Sequence, residues 1–587
     1  MNMISNHSYV VSRRIRHRMS LWCIVLLTAA ALLPACTPEA TAETERVMMP
    51  MRDGVKLATE LYFPEEEEGP WPVVLVRTPY GIKRQAGYGH RFSEQGYVVA
   101  IQDVRGSSDS EGECWLWVHE REDGYDAVEW LAAQDWSTGK IGMIGGSYGG
   151  WVPLAAAVEK PPHLVTIVSR VPMADPFFNH VYPYGMFHQT QHLQALAIFS
   201  EFLHELPTIS LPPDWKNQLD NLPVRDHDRR IYGQEVVRWR EDVQHNMIDA
   251  YWEGTDLLAD LAEVDIPVYI QGGWLDFGGI GTKLSYLHLA RSDNQNIKLL
   301  IGPWSHGLEG TSSIGGQEFG AAAEMDVLGD CGRWFDHWLR GIDNGIADES
   351  LVKVFNLGPN YWLEGDRYPL PQTQFVEYYL ASDQGARTTR GDGVLQRSVS
   401  SAGNTSDTYS YDPGDPTPSL WWNAVVAYDS LVAARDDILV FETEPFADSF
   451  MVVGPVSATL YASTSGKDTD WVVYWRIIDA DSGKQFPMGR APLRARFRNS
   501  ARQPELLEPD EVYEYTFDLW HMGVTITPGS KIRLEITSAC FPDFSRNLNT
   551  GGNNEHETEY ITASQRIYHS EEYPSHLLLP VIEFEEE

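Results

Sequence analysis

Short apolar runs that end in glycine turns recur along the first part of the chain. One run, Lys140-Ile-Gly-Met-Ile-Gly-Gly146, precedes the alanine-rich segment Trp151-Val-Pro-Leu-Ala-Ala-Ala-Val158, which stops before Pro161-Pro162. The first pattern predicts a buried strand and the second a helix packed on the sheet, because paired prolines end a helix. Two later runs, residues 266–271 and 297–301, are short, β-rich and followed by Gly-Gly-Trp and Gly-Pro-Trp turns. Together these runs predict an α/β sheet.

Three residues with catalytic chemistry lie in the turns after these runs. Ser147 stands between Gly145 and Gly149 in the G-x-S-x-G form of a nucleophile elbow, where crowded strand and helix backbones require glycine. Asp276 and His306 follow the two later runs. The carboxyl ends of parallel strands meet at one sheet edge, and Ser, acid, His is the chain order of α/β-hydrolases. We therefore predict a triad of Ser147, Asp276 and His306.

Each of these residues also has an ordinary structural interpretation. Ser147 could lie in a simple glycine turn, Asp276 could cap the following helix, and His306 could make a surface hydrogen bond. Three such residues in the correct order at strand ends favour the catalytic interpretation.

The chain is too long for a single hydrophobic core, and the pattern of apolar residues divides it into regions. About a hundred residues separate the elbow helix from the Asp276 run, far more than a βα unit needs, and residues 191–203 and 235–243 within them have helical apolar spacing. After a last core helix over residues 334–340, β-branched and aromatic runs alternate with turns, which predicts a β-sandwich. We predict the following division: core at 43–168 and 256–348, helical cap at 169–255, and β-sandwich at 349–587.

The first residues predict a targeting segment. Basic residues from Arg13 to Arg18 precede the apolar stretch from Leu21 to Leu33, which is too short for an ordinary membrane span. We predict a signal peptide over 1–42, with an exported protein that is periplasmic or lipid-anchored to a bacterial envelope. Leu33-Pro-Ala-Cys36 resembles a bacterial lipobox, which would lipidate Cys36, whereas Ala40-Thr-Ala42 offers a simple cleavage site.

Cysteine usage and charge narrow the choice of partners. Cys114, Cys331 and Cys540 permit at most one disulfide, and no Cys/His cluster has zinc-site spacing, so we predict no metal and no other cofactor. The formal charge of −38, from 83 acidic and 45 basic side chains, would repel nucleic acids and anionic membranes. Any membrane association is expected only through the signal or a lipid anchor.

Ordered motifs along most of the chain resemble the CocE/NonD family of serine hydrolases, which is related to cocaine esterase, X-Pro dipeptidyl-peptidases and α-amino-acid ester hydrolases. Besides the Ser147 elbow, the matching segments are Met51-Arg-Asp-Gly-Val-Lys-Leu, Arg77-Thr-Pro-Tyr80-Gly, Gln102-Asp-Val-Arg105-Gly-Ser-Ser-Asp109-Ser-Glu-Gly, Gly272-Gly-Trp-Leu-Asp276, Gly302-Pro-Trp-Ser-His306 and Phe541-Pro-Asp-Phe-Ser-Arg-Asn547.

This resemblance implies an α/β-hydrolase core with an inserted helical cap and a C-terminal jelly-roll β-sandwich domain. It also implies an oxyanion hole formed by the phenol of Tyr80 and the backbone N–H of Tyr148. The chain departs from the α-amino-acid ester hydrolases, which bind the substrate amine with carboxylates. Asp276 is followed by Phe277-Gly-Gly-Ile280, and Asn179-His-Val-Tyr182 stands where another acid would lie.

We therefore expect a serine acyl hydrolase that cleaves ester or amide bonds of small molecules through an acyl-enzyme. An X-Pro dipeptidyl-peptidase, or an α-amino-acid ester hydrolase acting as a β-lactam acylase, is the alternative within the enzyme class. A surface glycan-binding protein with an inert hydrolase core is a distant alternative. The sequence does not indicate an oligomeric state.

Overall fold

The computed structural model describes residues 44–65, 68–399, 405–420 and 428–584. The predicted signal peptide over 1–42 and the lipidation site at Cys36 lie outside the described residues. Within the described ranges, no helix combines the length and apolar character needed to cross a membrane. Cys114, Cys331 and Cys540 are free thiols.

A mixed sheet forms the core of the first domain. Ten of the described strands are ordered β1-β2-β4-β3-β5-β6-β7-β8-β11-β12, and β9 pairs with β10 in a separate small ribbon. The strands of this part of the chain are β1 (Thr44–Pro50), β2 (Lys56–Tyr62), β3 (Trp71–Thr78), β4 (Val98–Asp103), β5 (Ser137–Gly146), β6 (Leu164–Arg170), β7 (Val268–Gly273), β8 (Ile297–Gly302), β9 (Ser313–Ile314), β10 (Gln317–Glu318), β11 (Val352–Asn356) and β12 (Tyr361–Gly365).

The central strands of this sheet are parallel and covered on both faces. Strands β3 to β8 pair in parallel through the order β4-β3-β5-β6-β7-β8, and every residue of β4, β7 and β8 is buried. Burial of both faces explains why these segments are continuous apolar runs rather than alternating ones.

Helices cover both faces of the sheet and form the inserted cap. The helices of the described residues are α1 (Ala86–Ser93), α2 (Glu120–Ala132), α3 (Tyr148–Val158), α4 (Gln189–Phe199), α5 (His227–Tyr232), α6 (Val237–Gln244), α7 (Gly279–Leu289), α8 (Val327–Arg340) and α9 (Tyr428–Ala433). Helices α4 to α6, with a π-helix at Pro176–Val181, lie between β6 and β7 in the chain. The insertion is therefore helical, as its apolar spacing predicts.

The C-terminal region is the β-rich domain that the sequence predicts. Its strands pair in one hydrogen-bonded network that includes the long antiparallel pair β17–β20. They are β13 (Gln374–Ala381), β14 (Val394–Gln396), β15 (Ser406–Tyr411), β16 (Leu439–Glu442), β17 (Phe450–Thr464), β18 (Asp470–Ile478), β19 (Gln485–Arg494), β20 (Tyr513–Ile526), β21 (Lys531–Thr537), β22 (Ala563–Tyr568) and β23 (His576–Glu583). The α/β-hydrolase core with a helical cap and a C-terminal β domain is thus the observed fold class.

The core sheet continues past residue 349, where we predict the β-sandwich to begin. Residues 352–354 of β11 pair in parallel with residues 299–301 of β8, and β12 then pairs with β11. These strands complete the sheet beyond β8, whose outer edge would otherwise be unpaired. The predicted boundary lies before these two strands because the sequence of a β-strand does not show which sheet the strand joins.

Direct contacts join the β domain to the core close to the Asp276 turn. Lys283 on α7, which is almost fully buried, forms an ion pair with Asp518 on β20. The indole of Trp274 packs edge-on against His521 of β20, with ring centroids 4.8 Å apart. The β domain therefore forms part of the surroundings of the Asp276 turn.

The approach of α3 to β6 generates a prediction about stability. A Cβ on Gly150 would lie 2.2 Å from the carbonyl oxygen of Arg170, whereas a Cβ on Gly146 would meet nothing within 4 Å. We expect Gly150→Ala to lower the melting temperature by several degrees, because overpacking against backbone costs ~1–3 kcal/mol. Gly146→Ala is the matched control and should melt close to the parent. Equal melting temperatures for both variants, measured by calorimetry, would contradict this account.

Candidate active site

Ser147 occupies a strained turn between β5 and α3. Its backbone has φ 61° and ψ −124°, in the region that side chains rarely adopt. A Cβ on Gly145 would lie 2.1 Å from the carbonyl oxygen of Gly149, so the turn requires glycine at that position. The backbone N–H of Ser147 donates to the carbonyl oxygen of Arg170 at 3.0 Å. This is the sharp strand-to-helix turn that the G-x-S-x-G pattern predicts, and such strain collects at functional sites.

Asp276 and His306 are brought together by the turns after β7 and β8. His306 Nδ1 lies 3.0 and 3.1 Å from the two carboxylate oxygens of Asp276, which is buried and also accepts from the Gly278 N–H at 2.6 Å. Burial of the imidazole opposes protonation, but the charge of Asp276 and its hydrogen bond outweigh burial, so the pKa of His306 lies above its ordinary value. The carboxylate thus orients the ring and favours its charged form.

Tyr80 and Tyr148 converge on the serine. The Tyr80 hydroxyl lies 3.5 Å from Ser147 Oγ, a long hydrogen bond, and the backbone N–H of Tyr148 interacts with the Tyr80 oxygen. Burial raises the pKa of the Tyr80 phenol, which therefore remains a neutral donor at neutral pH. Its ring stacks on Phe199 of α4 in the cap, with centroids 5.8 Å apart and an interplanar angle of 9°. The cap therefore helps to fix the orientation of Tyr80.

The side chain of Tyr148 is anchored beneath the elbow. Its hydroxyl donates to Glu120 Oε1 at 2.8 Å and accepts from the backbone N–H of Trp117 at 2.9 Å. The other carboxylate oxygen of Glu120 pairs with Arg77 at 2.7 Å, and both of these side chains are buried. This network holds the first residue of α3, and it was not predicted, because no local pattern links Arg77 to Glu120.

The predicted site residues form two groups in this arrangement. Asp276 and His306 are hydrogen-bonded, and Ser147 lies with Tyr80 and the Tyr148 amide. Within the described residues no hydrogen bond joins Ser147 to His306; the partner of the serine hydroxyl is Tyr80. Catalytic hydrogen bonds are often long or misaligned without substrate and tighten when it binds.

Phe277 and His180 stand in the two segments where the resemblance to α-amino-acid ester hydrolases would place acids, and both side chains are uncharged. Phe277 is 44% exposed, and its ring centroid lies 4.4 Å from that of His306. His180 Nδ1 lies 3.1 Å from the Gln191 amide nitrogen, and its ring packs against Trp117. Burial, with His192 nearby, lowers the pKa of His180 to about 3, so this imidazole is neutral.

Sequence reasoning also missed a buried ion pair behind His306. Arg170 at the end of β6 pairs with Glu309 at 3.0 Å. The only local signals were a charged residue closing an apolar run and a glutamate three positions after the histidine. Neither signal distinguishes a buried pair from two solvated surface charges.

Comparison with known proteins places this geometry in a family. A family model described as X-Pro dipeptidyl-peptidase (S15 family) matches residues 53–308, and one described as the X-Pro dipeptidyl-peptidase C-terminal non-catalytic domain matches residues 344–578. Cocaine esterase of Rhodococcus sp. (strain MB1 Bresler) is 33% identical over 575 residues, which cover 91% of this chain and 98% of the esterase.

Solved structures agree with this sequence relationship. An aminopeptidase from the marine sediment archaeon Thaumarchaeota archaeon superposes with a TM-score of 0.79 at 26% identity, covering 94% of this chain and 99% of the other. An α-amino acid ester hydrolase superposes with a TM-score of 0.77 at 26% identity, covering 93% and 98%. From these matches, which extend through both domains, the chain belongs to the S15 and CocE/NonD family of serine hydrolases.

Proposed function

We propose that this protein cleaves ester or amide bonds of small molecules through an acyl-enzyme formed on Ser147. The observation that carries the proposal is the elbow itself: a strained serine whose hydroxyl faces the Tyr80 phenol, beside the N–H of Tyr148. His306 is the general base, and Asp276 orients its imidazole.

Each group has a defined task in this mechanism. His306 removes the proton of Ser147 as the hydroxyl attacks the carbonyl carbon, and it then donates that proton to the leaving group. Tyr80 and the Tyr148 amide donate to the oxyanion that develops, and one such donor contributes ~3 kcal/mol of transition-state stabilisation. Water, activated by the same imidazole, then releases the acid product and regenerates the serine.

The surroundings of the site favour substrates without a free α-amino group. The residues that follow Asp276 are Phe277, Gly278 and Gly279, and none is a carboxylate. The neutral His180 lies in the segment where the resemblance to α-amino-acid ester hydrolases would place a further acid. A buried ammonium group needs a charge partner, so these residues support recognition of an uncharged acyl group. The name of the cocaine esterase relative is consistent with ester hydrolysis.

The nucleophile is tested by Ser147→Ala. We expect kcat for p-nitrophenyl esters to fall by about 10³- to 10⁶-fold, and labelling by a fluorophosphonate probe to disappear, because removal of the nucleophile disables the whole triad. Ser482→Ala, at an exposed turn of the β domain, is the control and should behave as the parent. Labelling of Ser147→Ala at the parent's rate would refute the proposal.

The pH dependence tests His306 as the base. Only the neutral imidazole accepts a proton, so kcat/KM should fall tenfold per pH unit below the pKa of His306. Because Asp276 raises this pKa above 6.5, the midpoint of the acid limb should lie above pH 6.5. Asp276→Asn removes the raising charge and should move the midpoint of its residual activity to lower pH. A profile flat from about pH 4 to 8 would remove His306 from this role.

The oxyanion role is tested by Tyr80→Phe. This change keeps the ring that stacks on Phe199 but removes the donor, so kcat should fall by about 10²- to 10³-fold with KM little changed. Phe199→Leu removes the stacking partner and keeps the hydroxyl, and it should cost less than about tenfold in kcat. Losses of similar size in both variants would assign Tyr80 to packing instead.

A further inference from the structure

A buried ion pair lies directly behind the proposed base. Arg170 Nη2 and Glu309 Oε2 are 3.0 Å apart, and their side chains are 11% and 8% exposed. A buried pair gives little net stability, because desolvation of the two charges offsets their attraction. Net stability alone therefore does not account for the position of this ion pair beside His306.

Glu309 holds the turn that carries His306. Its second carboxylate oxygen, Oε1, accepts a hydrogen bond from the backbone N–H of Gly307 at 3.0 Å. Gly307 immediately follows the histidine and has φ 75°, a left-handed conformation that glycine adopts without strain. One carboxylate thus fixes the backbone next to the base and pairs with Arg170.

Arg170 connects this turn to the other segments of the site. Its carbonyl oxygen accepts from the N–H of Ser147, and its guanidinium donates to the hydroxyl of Tyr88 at 3.0 Å. Tyr88 lies on α1, shortly after the Tyr80 turn. The segments of the nucleophile, the base and the oxyanion donor all contact Arg170 directly or through one residue.

Three charged groups act on the His306 imidazole from the elements packed around it. Asp276 is hydrogen-bonded to the ring; Glu309 favours the charged ring and Arg170 disfavours it. Arg170 in turn faces Glu309, the Tyr88 phenol and the Cys331 thiol. The phenol and the thiol are neutral at physiological pH, because burial raises the pKa of each. Glu309 is therefore the second negative charge that the imidazolium experiences.

We propose that Glu309, held by Arg170, is a positioning residue that fixes the His306 turn and stabilises the imidazolium formed when Ser147 loses its proton. The proposal rests on the proposed role of His306 as the base. Arg170 limits the effect, because its positive charge disfavours the charged ring while the negative charge of Glu309 favours it.

Two substitutions separate the charge of Glu309 from its shape. Glu309→Gln keeps an oxygen that can accept from Gly307 but removes the charge, and Glu309→Asp keeps the charge on a shorter side chain. We expect Glu309→Gln to lower kcat for a p-nitrophenyl ester by about tenfold, equivalent to ~1.4 kcal/mol, with KM little changed. Its acid limb should move to lower pH, because loss of a negative charge destabilises the imidazolium. Glu309→Asp should keep the parent's acid limb.

Further variants keep the test decisive if unpaired Arg170 prevents folding. The double variant Arg170→Met/Glu309→Gln removes both charges, whose effects on His306 are opposite, so its acid limb should return toward that of the parent. Glu318→Gln, at an exposed position in the short strand β10, is the matched control and should leave kcat and the acid limb unchanged. Thermal melting of each variant verifies the fold.

The outcomes distinguish this inference from the function it rests on. A Glu309→Gln enzyme with the parent's acid limb, or equal shifts in the Gln and Asp variants, would overturn the role of Glu309. If His306→Ala is inactive in that case, the proposed base stands and only this inference fails. If His306→Ala keeps the parent's turnover, the base assignment itself is wrong.

Discussion

The close approach of α3 to strands β5 and β6 is the constraint on which the site depends. It requires glycine at 145 and 150, since a Cβ there would lie 2.1 and 2.2 Å from backbone oxygens of Gly149 and Arg170. In this crowded turn Ser147 has a strained backbone with φ 61°, and its N–H donates to the carbonyl oxygen of Arg170. The strain at one residue is compensated by the packing of a helix and two strands, which also fixes the Tyr148 amide at the start of the helix.

Buried charges around this turn are paired rather than isolated. Arg77 with Glu120 supports the Tyr148 side chain, Asp276 supports His306, and Arg170 with Glu309 supports the turn that follows it. An unpaired charge in such positions would be costly, so each pair constrains the backbone segments that carry it.

The cap and the β domain complete the surroundings of the core. Phe199 of the cap stacks on Tyr80, and Asp518 of β20 pairs with Lys283 on the helix that follows Asp276. Two groups of the proposed machinery are therefore oriented in part by elements outside the α/β sheet. An α/β core alone would present the same strand-end residues with fewer constraints on their positions.

The sequence alone determined the features that arise from short-range regularities. The glycine spacing predicted the elbow at Ser147, apolar runs predicted strands that end before Asp276 and His306, and the helical spacing predicted the insertion. The roles of Tyr80 and Tyr148 came from the family resemblance. The tertiary structure decided that β11 and β12 extend the core sheet, that Phe199 supports Tyr80, and that Arg170 meets Glu309. Residues 170 and 309 are far apart in the chain. A local sequence pattern carries information on backbone conformation and burial. It does not show which distant side chains share a buried site, because that depends on how the whole sheet is assembled.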